Sequence, residues 1–115
     1  AALGPGPAAA AAAALAAARD AGVGTSIDLN YRSKLWGRDD AARVMAGLLP
    51  LCDLLIASEA DAEFLFGVTG PDFAAVAEGL IARFGVSAVA GSRREAPLAW
   101  RNRVAAVGYS AGRLY

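Results

Sequence analysis

The sequence predicts an α/β domain, a parallel β-sheet with helices on its faces. Three observations carry that prediction. Segments of helical and strand character alternate along the chain in the order α-β-α-β-α-α-β. CDLLIA, residues 52–57, is a short apolar run of the kind found in strands covered on both faces. Residues 71–84 place Phe73, Val76, Ala77, Leu80, Ile81 and Phe84 on one helix face, at i, i+3, i+4, i+7, i+8 and i+11.

The first helix is expected after Pro7 and runs to about Asp20, because alanine has the highest helix propensity and fills Ala8–Ala14. Ala21-Gly22 is its stop signal. A strand follows at about Val23–Asn30, then a loop over Tyr31–Gly37. The next helix starts at Asp39 or Asp40 and reaches Leu49, where Pro50 halts it; Ala41, Val44, Met45 and Leu48 share its inner face. After the strand at 52–57, a helix is expected at about Glu59–Phe66, ending on Gly67. Pro71 suits the first turn of the 71–84 helix and Gly85 its exit. Val86–Ala90 reads as a third buried strand, and SRREAPLAWRNR (92–103) as a polar loop. Arg103–Tyr109 and Gly112–Tyr115 suit the arms of a hairpin around Ser110-Ala111.

Composition removes several classes of function. The 115 residues suit one domain, and 57% apolar content is enough for a core. Eleven basic and eleven acidic side chains balance to zero, with no basic patch to favour nucleic acid as a partner. One cysteine, Cys52, excludes an internal disulfide. No histidine is present, which argues against zinc sites and Ser–His or Cys–His nucleophile systems. Chemistry must then come from carboxylates, arginine, lysine, hydroxyls and backbone dipoles. Ala8–Ala18 is too short to span a bilayer, and the start lacks the basic region of a signal peptide. The expected setting is soluble, reducing and cytoplasmic, with no membrane partner. A chain beginning on Ala1 rather than methionine suggests part of something longer.

The site-like residues gather where strands are predicted to end, which is where open α/β sheets bind ligands. In SIDLNYRSKLW (26–36), Asp28, Asn30 and Arg32 alternate with apolar residues and so share one face, about 6.6 Å apart on an extended strand. Arg32 suits a carboxylate or phosphate, since its guanidinium donates two parallel hydrogen bonds. The same residues also fit a solvated strand end with an Asp–Arg surface pair. Ser58-Glu59-Ala60-Asp61 opens a helix just after a strand. It suits phosphate or magnesium binding, and equally a capping box. Ser92-Arg93-Arg94-Glu95 fits either a triphosphate or a charged surface loop, and Lys34-Leu35-Trp36 either a lid anchor or a pinned loop. The glycines form neither a dinucleotide fingerprint nor a Walker-type loop.

Taken in order, these segments resemble the ribokinase-like (PfkB) carbohydrate kinases, most closely the 2-keto-3-deoxygluconate kinase branch. AALGP resembles PALSP, DLNYRSKLW resembles DxNYRxxLW, SEADAEFLFG resembles NEEEAELLFG, and VAGSRREA resembles a VAxTLRES-like strand and loop. The tryptophan-containing motif is the most specific. The resemblance implies the central part of a ribokinase-like, Rossmann-like parallel-sheet three-layer fold. It implies that Arg32 binds a sugar-acid carboxylate while Asn30 and Asp28 shape the pocket. Ser58 and Asp61 occupy the Asn and Glu positions of the family's N-x-x-E motif, implying a nucleotide contact at Ser58 and a metal contact at Asp61. Ser92 stands at a nucleotide-side threonine position and Arg94 matches the branch's arginine, whereas Arg93 replaces a leucine and Gly91 an aliphatic residue.

The implied cofactors are ATP and magnesium, and the implied partners a sugar acid and, for the parent enzyme, further copies of itself. The implied reaction is phosphorylation of 2-keto-3-deoxygluconate to its 6-phosphate. The family's Gly-Ala-Gly-Asp motif, which carries the catalytic base, does not occur in these residues. It is expected beyond Tyr115, and the lid strands before Ala1, so residues 1–115 are expected to be a partial kinase domain, inactive alone and without a catalytic residue. The rival expectations are a 5-keto-2-deoxygluconate kinase, disfavoured by Asn30 preceding Tyr31, and a non-catalytic α/β metabolite-binding domain.

Overall fold

Alanine propensity and a proline-marked start produce the first element, α1 (Pro5–Asp20), with the helix opening on Pro5 rather than after Pro7. The computed structural model describes residues 1–98 and 101–115, and the side chains of all of these except 93–98 and 101–103. No residue of α1 is buried; Ala11, Ala12 and Leu15 rest half-covered against the core. Three strands then run parallel: β1 (Ser26–Asp28), β2 (Leu54–Ile56) and β3 (Ala88–Leu98). β4 (Arg101–Ser110) and β5 (Arg113–Leu114) return antiparallel, in the spatial order β1-β2-β3-β4-β5. The sheet is therefore mixed, with a parallel half and an antiparallel half. Residues 92–98 and 101–103, expected as loop, belong to the long β3–β4 hairpin.

Between β1 and β2 lies α2 (Arg38–Leu48), which buries Ala41, Met45 and Leu48. Pro50 does not simply end it. It sits within a single 3-10 turn, Leu49–Leu51, whose first residues need no intrahelical donor. Between β2 and β3 come α3 (Glu59–Phe66) and α4 (Phe73–Phe84). Ser58 caps α3 by accepting from the Asp61 N–H at 3.0 Å, and Asp72 caps α4 by accepting from the Ala75 N–H at 2.9 Å. Pro71 thus precedes the cap of α4 instead of lying in its first turn. Gly67 and Gly85 end the two helices in the left-handed conformation, at φ 66° and 74°. The stripe Phe73, Val76, Ala77, Leu80 and Phe84 is buried as the periodicity predicts, with Ile81 at its margin.

Burial across the sheet is one-sided. Ile27, Leu55, Val89 and Tyr109 stand in register across four strands and pack against the helices. The alternate positions look the other way: Ser26 and Asp28 are exposed, and Ile56 keeps 38% of its surface. The strand expected at 52–57 is β2, shorter at Leu54–Ile56, and among the described residues it is covered on one face, not two. The described residues supply two of the three layers expected, the sheet and one helical layer. Among the described residues no helix is long and apolar enough to cross a membrane.

At the amino ends of the strands, Asp53 joins three of them. One carboxylate oxygen accepts from the Thr25 N–H at 2.8 Å and from its hydroxyl at 3.3 Å, while the Asp53 carbonyl accepts from the Ser87 and Ala88 N–H groups. Farther across, Tyr109 donates its hydroxyl to Glu78 on α4. That bond, with burial and the Glu78 charge behind it, raises the phenol's pKa. Burial, then the Asp53 charge, likewise pushes the Cys52 thiol up, so it stays protonated and inert at neutral pH. Asp53→Ala is expected to lower unfolding stability by about 1 kcal/mol. Urea denaturation checks this, and an unchanged midpoint would show that the backbone ladder alone holds the strand ends.

Candidate functional site at the carboxyl ends of the parallel strands

Asp28 is the last residue of β1 and stands in register with Ile56 and, through it, Ala90. All three belong to the open face of the sheet. Beyond Asp28 the ladder continues for one residue, where the Leu29 N–H donates to the Ile56 carbonyl at 3.0 Å. Asn30 then turns the chain at φ 37°, a left-handed conformation that asparagine adopts more readily than most residues. The Arg32 carbonyl accepts from the Leu35 N–H at 2.9 Å and closes the next turn.

The expected spacing of Asp28, Asn30 and Arg32 along one extended strand is therefore corrected. The strand stops at Asp28 because Asn30 leaves the extended region. The alternation in exposure survives: Leu29 is buried and Tyr31 half-buried, while Asp28, Asn30 and Arg32 are exposed. Among the described residues, Asp28 and Arg32 form no ion pair with each other or with any other residue, so a surface pair does not account for either.

One strand along, Ser58 and Asp61 begin α3. The Ser58 hydroxyl oxygen is engaged as the helix cap, which leaves its O–H able to donate elsewhere. Asp61 is half-buried and lines a cavity of about 530 Å³ with Tyr31, Ala60, Glu63 and Phe64. The loop after β1 and the first turns of α3 thus share a wall. Among the described residues no three acidic, cysteine or histidine side chains lie together as metal ligands. Asp61 is a single carboxylate, which suits a magnesium ion held chiefly by phosphates and water.

The third strand brings Ser92, exposed and paired in register with Ala106. Arg94 pairs with Val104 through the backbone; its side chain lies outside the described residues. Gly91, just before Ser92, has a packing reason to lack a side chain. A Cβ there would meet both the Ala57 carbonyl oxygen and the Phe73 ring at 2.7 Å. The Phe73 ring occupies the space where the resembling segment carries an aliphatic residue.

A group of residues that sequence reasoning passed over ties the two motifs together. The Tyr31 hydroxyl donates to the Trp36 carbonyl at 3.2 Å, and its ring lies 5.3 Å from that of Phe64. Arg38 donates to the Phe64 carbonyl at 2.6 Å, with its guanidinium 5.7 Å from the Phe64 ring centre. The available signal was Phe64 itself, an aromatic residue three positions after Asp61, on the same side of the helix as that acid.

The fold is the one found in carbohydrate kinases of the PfkB family. A solved PfkB family carbohydrate kinase from Listeria grayi superimposes with a TM-score of 0.83 at 22% identity, over 94% of this chain and 34% of that one. The chain also resembles a narrower group, the 2-dehydro-3-deoxy sugar-acid kinases. A solved 2-dehydro-3-deoxygluconokinase from Thermotoga maritima matches with a TM-score of 0.81 at 30% identity, over 90% of this chain and 33% of that one. The 2-dehydro-3-deoxygalactonokinase of Haloferax volcanii is 43% identical over 51 residues, 44% of this chain and 16% of that protein. No family model matches the sequence. The chain spans about a third of the length of these solved structures and about a sixth of the curated relative.

Gly91→Ala is expected to cost about 1–3 kcal/mol, the range for overfilling a packed site. Urea unfolding checks it; a loss below about 0.5 kcal/mol, within the ordinary range for harmless surface changes, would show that Phe73 moves aside freely.

Proposed function

We propose that the whole protein is an ATP-dependent sugar-acid kinase that phosphorylates 2-keto-3-deoxygluconate to its 6-phosphate with magnesium. One observation carries this reading: Arg32 is exposed and forms no ion pair among the described residues. It stands on the turn after β1, at the edge where open α/β sheets gather their ligands. The likeness to sugar-acid kinases supports a carboxylate as its ligand.

In this reading Arg32 holds the carboxylate with two parallel hydrogen bonds, and Asp28 and Asn30 meet the sugar hydroxyls. Ser58 donates its free O–H to a phosphate oxygen while its oxygen keeps the α3 cap. Ser92 lies on the nucleotide side, and the assignment of Arg94 rests on sequence resemblance alone. Asp61 would help hold a magnesium ion, which would supply positive charge beside the phosphates. That ion and ATP supply the charge neutralisation and the phosphoryl group on which such transfers depend. The same proposal makes residues 1–115 the central part of a cytoplasmic, homo-oligomeric kinase, with the lid and the catalytic base supplied outside it. A second reading, a kinase for 2-keto-3-deoxygalactonate, is favoured by the 43% identity to the Haloferax volcanii protein. The two sugar acids differ in the configuration of one carbinol carbon and share the carboxylate, so Arg32 would serve both.

Calorimetry with each sugar acid, and separately with ATP-magnesium, tests these assignments. Arg32→Ala is expected to weaken sugar-acid binding about tenfold to a hundredfold, the worth of a charge-assisted pair, while nucleotide binding is retained. Equal affinity in wild type and variant would remove Arg32 from the site, and sugar-acid binding with no nucleotide binding would favour a non-catalytic metabolite-binding domain. In a coupled ATP-consumption assay, residues 1–115 alone are expected to show no sugar-acid-dependent turnover. Turnover would disprove the assignment of the base to another segment.

A further inference from the structure

We infer that Phe64, assisted by Arg38, is a positioning residue that latches the turn bearing Arg32 onto α3 and so holds the carboxylate grip preformed; the inference rests on the sugar-acid reading of that grip. Phe64 is 47% exposed, although α3 has an inner side in Ala62, Leu65 and Phe66 that excludes water. Part of its ring is covered from outside α3, by the loop after β1 and by the start of α2. Tyr31 packs on it at 5.3 Å with the rings tilted by 40°, within the range in which aromatic pairs attract beyond their buried area. Arg38, the first residue of α2, stacks its guanidinium at 5.7 Å and bonds the Phe64 carbonyl at 2.6 Å. Both ends of the loop are thereby fixed to one helical turn. Tyr31 is anchored near its start and Arg38 just after its close, and the Tyr31–Trp36 hydrogen bond ties the two ends to each other.

Arg32 is the next residue after Tyr31, so the direction of its side chain depends on how Tyr31 is held. The turn is otherwise weakly constrained. Asn30 has a left-handed backbone, and Arg32, Ser33, Lys34 and Leu35 are all exposed. A flexible arginine must be ordered when it binds, whereas a latched one has met that entropic cost in folding. The helix that performs the latching also carries Ser58 and Asp61. Sugar-acid and phosphate residues are thus referred to one rigid element. The resembling segment NEEEAELLFG has leucine at this position, so the aromatic latch is a property of this chain.

Trypsin reads the latch directly, because Arg32 and Lys34 are exposed within the loop. Cleavage after them follows the local opening equilibrium when reclosing is fast. Phe64→Leu keeps an apolar side chain with good helix propensity and is expected to leave the melting temperature near that of wild type. It should nevertheless accelerate cleavage after Arg32 and Lys34 about threefold to tenfold, the scale of one lost aromatic pair. Phe64→Tyr should restore the slow rate. Mass spectrometry of the fragments separates these sites from Arg19 and Arg43, whose cleavage should not change. Unchanged cleavage after Arg32 and Lys34 in Phe64→Leu overturns the latch. So does a rise shared by every site, which would report global unfolding.

Calorimetry of the whole protein with 2-keto-3-deoxygluconate then separates the two layers of argument. Wild-type binding that Phe64→Leu weakens and Phe64→Tyr restores supports the positioning role. Binding unaffected by Phe64→Leu overturns it. No binding by wild type, with the cleavage result intact, brings down the sugar-acid reading and the positioning role together, and leaves only the loop contact.

Discussion

The row Ile27–Leu55–Val89–Tyr109, packed under the helices with Ile27 half-buried at its edge, is the constraint on which the rest of this structure depends. Because side chains alternate along a strand, fixing that row fixes its complement. Asp28, Ile56 and Ala90 are committed to the other face, and the candidate residues that follow β1 and β2 are placed by where those two strands stop. A slip of one residue between β1 and β2 would turn Asp28 into the core and Ile27 out of it. Asp53 opposes that slip from the far end, where its carboxylate and carbonyl join the starts of three strands. One end of the parallel strands is pinned, and the other is left to carry chemistry.

The sequence made the helical half of this architecture legible and the sheet's details less so. Helix periods and caps are local signals. The 71–84 stripe, Gly67 and Gly85 lie where the pattern puts them, and Ser58 turns out to be the cap that its spacing to Asp61 allows. The extent of β1 depended on a backbone angle at Asn30 that no periodicity reveals. The long β3–β4 hairpin was hidden because residues 92–95 and 101–103 are polar, and a polar strand looks like a loop until its partner is known. Burial on one face or two was equally unreadable in CDLLIA, since a short apolar run looks the same in either case.

For the candidate site, the order of motifs showed which residues belong together but not what holds them. The tie between Tyr31, Phe64 and Arg38 joins residues up to 33 positions apart. It depends on α2 and α3 lying side by side, a fact of packing rather than of sequence spacing. Three of the positions at which this chain departs from the sugar-kinase pattern have a physical role in the fold. Ser58 still caps its helix, Gly91 makes room for Phe73, and Phe64 supplies a ring where the pattern has leucine.

Asn30 sets a different kind of limit. Its φ of 37° lies where a side chain branched at Cβ clashes with the backbone, so the position filters amino acids by shape before any ligand does. Asp28, on ordinary extended backbone one step earlier in the row, has no such filter. Over generations the two neighbours would drift under unlike rules: position 28 answerable to chemistry alone, position 30 confined to the few residues, glycine and aspartate among them, that tolerate a left-handed turn. An asparagine retained there would therefore be poor evidence of contact with substrate.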